Sequence, residues 1–271
     1  MGKNGGTSAA GQLPGAAAPS PPLLGVRQAE AAEPSRAPPL IKDGDAVFFI
    51  GNSFFGWHDR PLPDWVAALG EAVTPPVHIR TGADIVFGTA RLASFMKHPA
   101  TQAALASHAY NVFVLQGEDT EAVDDKAEFH QAVRDFNRAI EAAGARTVLF
   151  MTWEFPWRRF IDELSVSYDE IGEELGIPVI PAGLLFKDCE HARQGELSYW
   201  LTSDTQHPHG ELHQNEMGSA VNAYATFETL TGINPHGVNF VAPGNSNSDS
   251  LMKHFSDVAW TRVSRRLQFQ P

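Results

Sequence analysis

Two short stretches carry residues that can do chemistry together. The first is Gly51-Asn52-Ser53, which follows the apolar run Phe48, Phe49, Ile50. Gly and Asn both tolerate unusual backbone angles, so a buried strand can end sharply here with the serine hydroxyl held at its tip. The second is Asp204-Thr205-Gln206-His207-Pro208. Two residues between carboxylate and imidazole let one tight turn set Asp204 against Nδ1 and leave Nε2 facing outward to accept a proton. A hydroxyl, an imidazole and a carboxylate are the parts of a nucleophilic hydrolase, with Ser53 as nucleophile, His207 as general base and Asp204 as the group that orients it. Each has a plain alternative when taken singly: a turn serine after a strand, and a capping turn before a helix. Their joint presence favours the catalytic reading.

Such groups work only if the fold brings them together. Continuous apolar runs at 46–50, 77–79, 110–116, 146–152 and 177–181 predict strands buried on both faces. Between them, stretches at 61–73, 89–98, 125–145 and 158–176 predict amphipathic helices; Phe129, Val133, Phe136 and Ile140 show the three- and four-residue spacing, with Gly144 as the stop. The β-α-β-α order predicts an α/β fold, a three-layer α/β/α sandwich around a mainly parallel five-stranded sheet. Ligands bind such sheets beyond the carboxyl ends of the strands, and Ser53 falls at the end of the first. A helix over 217–231 stopped by Gly232, and a terminal helix carrying Leu251, Phe255, Val258 and Val263, complete the expected layers.

Composition narrows the partners. The first 40 of the 271 residues are rich in Ala, Pro, Gly and Ser and are expected to form a disordered leader, with 41–271 as a single domain. The leader lacks the continuous apolar core of a secretory signal, which favours the cytoplasm over export. A net charge of -12 argues against broad binding to nucleic acid or anionic membranes and leaves a small neutral or cationic partner. Cys189 is the one cysteine, so neither an intrachain disulfide nor a thiolate metal cluster is expected. No run approaches the roughly 20 apolar residues of a membrane span.

Gly51-Asn52-Ser53-Phe54 resembles the first block of the SGNH, or GDSL-like, hydrolases, in the variant with asparagine in place of the aspartate. Asp204-x-x-His207-Pro208, followed by a Gly- and Ala-rich helix, is similar to the last block. Gly82 falls where the second-block glycine is expected, and 112–119 ends the strand that carries the third block. The resemblance runs from about residue 45 to 232. It implies a flavodoxin-like SGNH hydrolase fold and hydrolysis of carboxylic esters through an acyl-enzyme on Ser53, with His207, Asp204 and no metal or organic cofactor. The usual third block, Gly-x-Asn-Asp, offers an asparagine side chain to the oxyanion. Here the strand ends in Leu115-Gln116-Gly117-Glu118-Asp119, and Gln116 carries the same amide on a longer stem. The oxyanion hole implied is therefore the Ser53 N–H, the Gly82 N–H and the Gln116 side chain.

Phe54, Phe55 and Trp57 behind the nucleophile suggest an apolar or carbohydrate-stacking wall, which suits a small ester of a short acyl group or an acetylated carbohydrate. Trp153 and Glu154, after the fourth strand, join Phe54 as candidate pocket residues. Glu118, Asp119 and Asp124 are expected to form a solvated acidic loop. Other readings remain beside this one: a metal-dependent hydrolase using Asp204, His207, His209 and His213 as ligands, an acyltransferase that shares the covalent intermediate, and a binding protein that keeps the fold without turnover.

Overall fold

The computed structural model describes residues 38–56, 60–155, 157–192, 201–202, 212–240 and 246–268. Residues 1–37 of the expected leader, Trp57, Asp204, His207 and His209 lie outside the described residues.

Apolar runs too continuous to leave either face in water become the strands of one parallel sheet. These are β1 (Ala46–Gly51), β2 (Arg80–Ile85), β3 (Val112–Leu115), β4 (Arg146–Phe150) and β5 (Val179–Ile180), in the order β2-β1-β3-β4-β5. Each parallel step needs a crossover, and helices supply it. In chain order they are α1 (Ser53–Gly56), α2 (Leu62–Ala72), α3 (Leu92–Phe95), α4 (Pro99–Ser107), α5 (Glu121–Asp124), α6 (Lys126–Ala142), α7 (Ile161–Leu175), α8 (Ala182–Ala192), α9 (Glu216–Thr231) and α10 (Ser246–Gln268). The chain leaves β1 toward β2 on one side and returns to β3 on the other. That reversal opens a crevice at the carboxyl end of β1, and Ser53 is the second residue beyond it.

Four of the five strands stand close to where the apolar runs put them. The second does not: Val77 and Ile79 are buried, but Val77 donates its N–H to the Gly70 carbonyl at 2.9 Å, against α2. The pairing segment begins at Arg80 and has only β1 beside it. As an edge strand it is largely accessible and needs no apolar run. Of the helix expected over 89–98 only α3 forms, and a further helix, α4, follows it, opened by Pro99 at its first turn, where a missing N–H costs nothing. In α10 the buried stripe is Met252, Phe255, Ala259, Val263 and Leu267, while Leu251 and Val258 sit at its margin. The small residues of α9 allow close approach on every side, and it is buried along its length against α2 and α10. Among the described residues no helix is long and apolar enough to cross a membrane.

Candidate active site

The turn that carries Ser53 is tied together by one side chain. Asn52 Oδ1 accepts from the Phe54 N–H at 2.9 Å and from Gln116 Nε2 at 2.6 Å, while the Asn52 N–H donates to Gln116 Oε1 at 3.2 Å. Asn52 Nδ2 donates to Asp119 Oδ1 at 2.8 Å. All four polar groups of Asn52 are engaged once its carbonyl, which accepts the Phe55 N–H at 3.0 Å, is included. Gly51 makes the arrangement possible, since a Cβ there would lie 2.5 Å from Gln116 Oε1 and 2.9 Å from the Phe55 ring. Ser53 opens α1, so its N–H is one of the donors that a helix start leaves without an intrahelical partner.

The imidazole facing this serine is that of His213, whose Nε2 lies 2.8 Å from Ser53 Oγ. Its segment enters α9 and is fixed from several directions. Asn215 caps the helix, its Oδ1 accepting the Gly218 N–H at 2.9 Å and its own N–H donating to the Leu201 carbonyl at 2.8 Å. Gly218 allows the close pass, because a Cβ there would meet that same carbonyl oxygen at 2.2 Å. Thr202 and Gln214 form an antiparallel bridge, and Gln214 Nε2 donates to the Phe54 carbonyl at 3.0 Å. Trp153 Nε1 donates to the Leu212 carbonyl at 2.8 Å, one residue before the histidine.

In the sequence His213 stands out only as a candidate metal ligand. Its signal was available: an Asn immediately before a long helix of small residues marks an N-cap, and the residue two before it is carried at the mouth of that helix. His207 and Asp204 lie outside the described residues, as does His209.

Other expected site residues are placed differently. Gln116 is buried, and its Nε2 donates to Asn52 Oδ1 and, at 3.0 Å, to the Gly117 carbonyl, so both amide hydrogens are used in bracing the nucleophile turn. The stem is long enough to fold back over Gly51 instead of reaching forward. Gly82 pairs with Phe48 in the middle of β2, three residues short of Ile85, which pairs with Gly51. At strand spacing that leaves it roughly 10 Å below the serine end. Its missing side chain makes room for Tyr110, whose hydroxyl would stand 2.3 Å from a Cβ. The segment that does reach the serine end is the exit of β2, where the Val86 N–H donates to the Gly51 carbonyl at 3.0 Å and Gly88 has φ +99°.

The three candidate pocket residues all make structural contacts. Phe54 is fully buried, with its ring stacked on Trp153 at 4.4 Å and edge-on to His213 at 5.8 Å. Trp153 lies between Phe54 and Phe186, 4.4 Å from each, and so supports the histidine segment from below. Glu154 anchors the start of α7: its Oε2 accepts the N–H groups of Phe160 at 2.9 Å and Ile161 at 3.0 Å, and its Oε1 accepts from Arg159 at 2.7 Å.

The acidic loop is solvated only in part: Asp124 is exposed, whereas Glu118 and Asp119 are half-buried. Glu121 is buried and accepts the N–H groups of Leu92 at 3.0 Å and Glu118 at 2.9 Å, and burial raises its carboxyl above the usual range. Arg158 holds Asp124 down to about 2. Asp119 is pushed up to about 6, chiefly by burial, with the Asn52 hydrogen bond opposing and Glu118 adding repulsion. Gly117-x-Asp119 has the spacing of Gly-x-Asn in the third block, a register that puts Asp119 in the asparagine's place; this match was legible beside the one chosen at Gln116.

Compared with known proteins, the chain matches no family model and no curated protein. Solved structures do match. A proposed SGNH hydrolase from Slackia heliotrinireducens superposes with a TM-score of 0.51 at 21% identity, over 69% of this chain and 98% of that one. Axe2, an acetylxylan esterase from Geobacillus stearothermophilus, gives 0.55 at 15% identity, over 75% and 99%. A DUF4886 family protein from Bacteroides uniformis gives 0.57 at 15% identity, over 80% and 95%. At these identities the likeness is one of fold: the five-stranded parallel sheet and its helices have the architecture of the SGNH hydrolases.

Proposed function

We propose that this chain is a serine esterase acting on small carboxylic esters, with Ser53 as nucleophile and His213 as general base. One observation carries the reading: an imidazole nitrogen 2.8 Å from a serine hydroxyl, at the carboxyl end of β1 where the sheet opens. As Ser53 Oγ bonds to the ester carbon, its proton passes to His213 Nε2 and the carbonyl electrons move onto oxygen. Collapse of that intermediate expels the alcohol, which takes the proton from the imidazolium. Water, deprotonated by the same nitrogen, then attacks the acyl carbon, and Ser53 leaves with the proton restored. The Ser53 N–H is the first oxyanion donor in this scheme, and the Gly88 segment supplies the second.

The fold of Axe2 favours acetylated carbohydrate among small esters. Phe87 adds support for an aromatic contact: it is 61% exposed, just past β2, with its ring 3.3 Å from where a Cβ on Gly56 would lie. The test is hydrolysis of p-nitrophenyl esters from acetate to octanoate by wild type and Ser53→Ala, with and without chelator. Turnover that resists chelation and disappears in the variant is expected, with the shortest chains preferred. Turnover that survives the substitution and falls on chelation would instead favour a metal at the histidine cluster.

A further inference from the structure

Asp119 is a titratable group at this end of the sheet that the proposed chemistry leaves unused. It follows β3, the neighbour of β1, and its Oδ1 receives Asn52 Nδ2 at 2.8 Å. Because Asn52 also holds the Phe54 N–H and Gln116, a change at Asp119 reaches Ser53 through a single side chain. His213 comes to the serine from the Phe54 and Leu212 side. Asp119 comes from the Asn52 side, and the proposed oxyanion donor, the Ser53 N–H, belongs to the Asn52–Ser53 peptide.

We propose that Asp119 is a positioning residue that governs the nucleophile through Asn52, holding the turn by its hydrogen bond and, as an anion, opposing the negative charge that develops on the substrate oxygen. The inference rests on the esterase reading. Asn52 and its own backbone N–H favour the Asp119 charge, but the other groups that face it bring no cation. Glu118 on its own loop repels it, Glu121 of α5 lies beyond, Thr152 after β4 gives its hydroxyl to the Asp119 carbonyl at 3.4 Å, and the neutral Tyr168 of α7 accepts the Gly117 N–H at 3.3 Å. Burial puts its ionisation at about 6, so the charge appears near neutrality.

The test compares wild type, Asp119→Asn and Asp119→Ala on p-nitrophenyl acetate, with kcat and KM measured from pH 5 to 9. Asparagine keeps an oxygen for Asn52 Nδ2 and drops the charge. Its kcat is expected to exceed that of the wild type by about threefold or more above pH 7 and to converge with it at pH 5. Alanine drops the oxygen too, and its kcat should fall about tenfold or more at every pH with KM little changed. An asparagine variant at or below wild type at pH 8, or two variants that behave alike, would overturn the proposal. A second readout needs no turnover: thermal unfolding of Asn52→Ala, Asp119→Ala and the double variant should be non-additive. Additivity would overturn the positioning link by itself, whereas a wild type inert to esters would overturn the esterase reading and the charge effect together.

Discussion

His213 Nε2 and Ser53 Oγ are 2.8 Å apart, although 160 residues separate them in the chain. The serine arrives on the end of β1, an inner strand of the sheet, and the histidine on the mouth of α9, a helix from an outer layer. Neither element touches the other's functional residue by accident of sequence, so the contact depends on the groups that dock the α9 mouth onto the β1 turn. Trp153 and Gln214 are those groups, one bonded to the Leu212 carbonyl and the other to the Phe54 carbonyl.

Trp153→Phe separates docking from packing. Phenylalanine can keep an aromatic face between Phe54 and Phe186 but gives Leu212 no donor. The expected result is a loss of about tenfold in kcat with KM nearly unchanged, because a small displacement of the base is felt in the transition state more than in binding. Steady-state kinetics beside a circular dichroism spectrum check this, and an unchanged kcat would remove Trp153 from the positioning of His213.

Glu228 carries a prediction about stability. It is fully buried in α9, neither carboxyl oxygen has a hydrogen-bond partner, and burial followed by Asp257 repulsion raises it well above its ordinary range. The folded chain therefore keeps a proton that the unfolded chain releases above about 4.5. Stability from this group is full below that pH and is lost as pH rises through the folded value. Glu228→Gln should be more stable than wild type at pH 8 by about 1–3 kcal/mol, with the gap closing toward pH 4. Thermal unfolding at the two pH values checks it, and a gap independent of pH would contradict it.

Phe87 tests the substrate surface. If its exposed ring meets the alcohol part of the ester, Phe87→Ala raises KM several-fold for aryl or acetylated sugar esters and leaves kcat near wild type, since the ring touches no reacting atom. The comparison substrate is an acetate of a small aliphatic alcohol. Equal effects on both classes would argue that the ring shapes the loop and not the binding surface.

How much of this was legible beforehand depended on which force chose each residue. β1, β3 and β4 are buried on both faces, and burial writes itself as an unbroken apolar run; β2 is an edge strand whose Arg80 and Thr81 leave no such trace. Ser53 was legible because Gly51-Asn52 breaks an apolar run, although Gly51 is there to clear Gln116 and Asn52 for its hydrogen bonds, not for an unusual φ. His207 stands out over His213 because Asp204-x-x-His207 is a local pair, whereas what marks His213 is a helix cap two residues later and a glycine fitted to a distant carbonyl. Gln116, Trp153 and Glu154 were placed at the correct edge of the sheet. Their side-chain directions followed from partners far along the chain, such as Asn52, Leu212 and the start of α7, and periodicity holds no record of those.

The central claim is that His213 is the base for Ser53, and the most direct measurement is the kcat/KM of His213→Ala beside His207→Ala on p-nitrophenyl acetate at pH 8. Loss of about 10³-fold or more in His213→Ala, against a change of less than tenfold in His207→Ala, is the result predicted. The reverse pattern, with His207→Ala inactive and His213→Ala near wild type, would contradict the account.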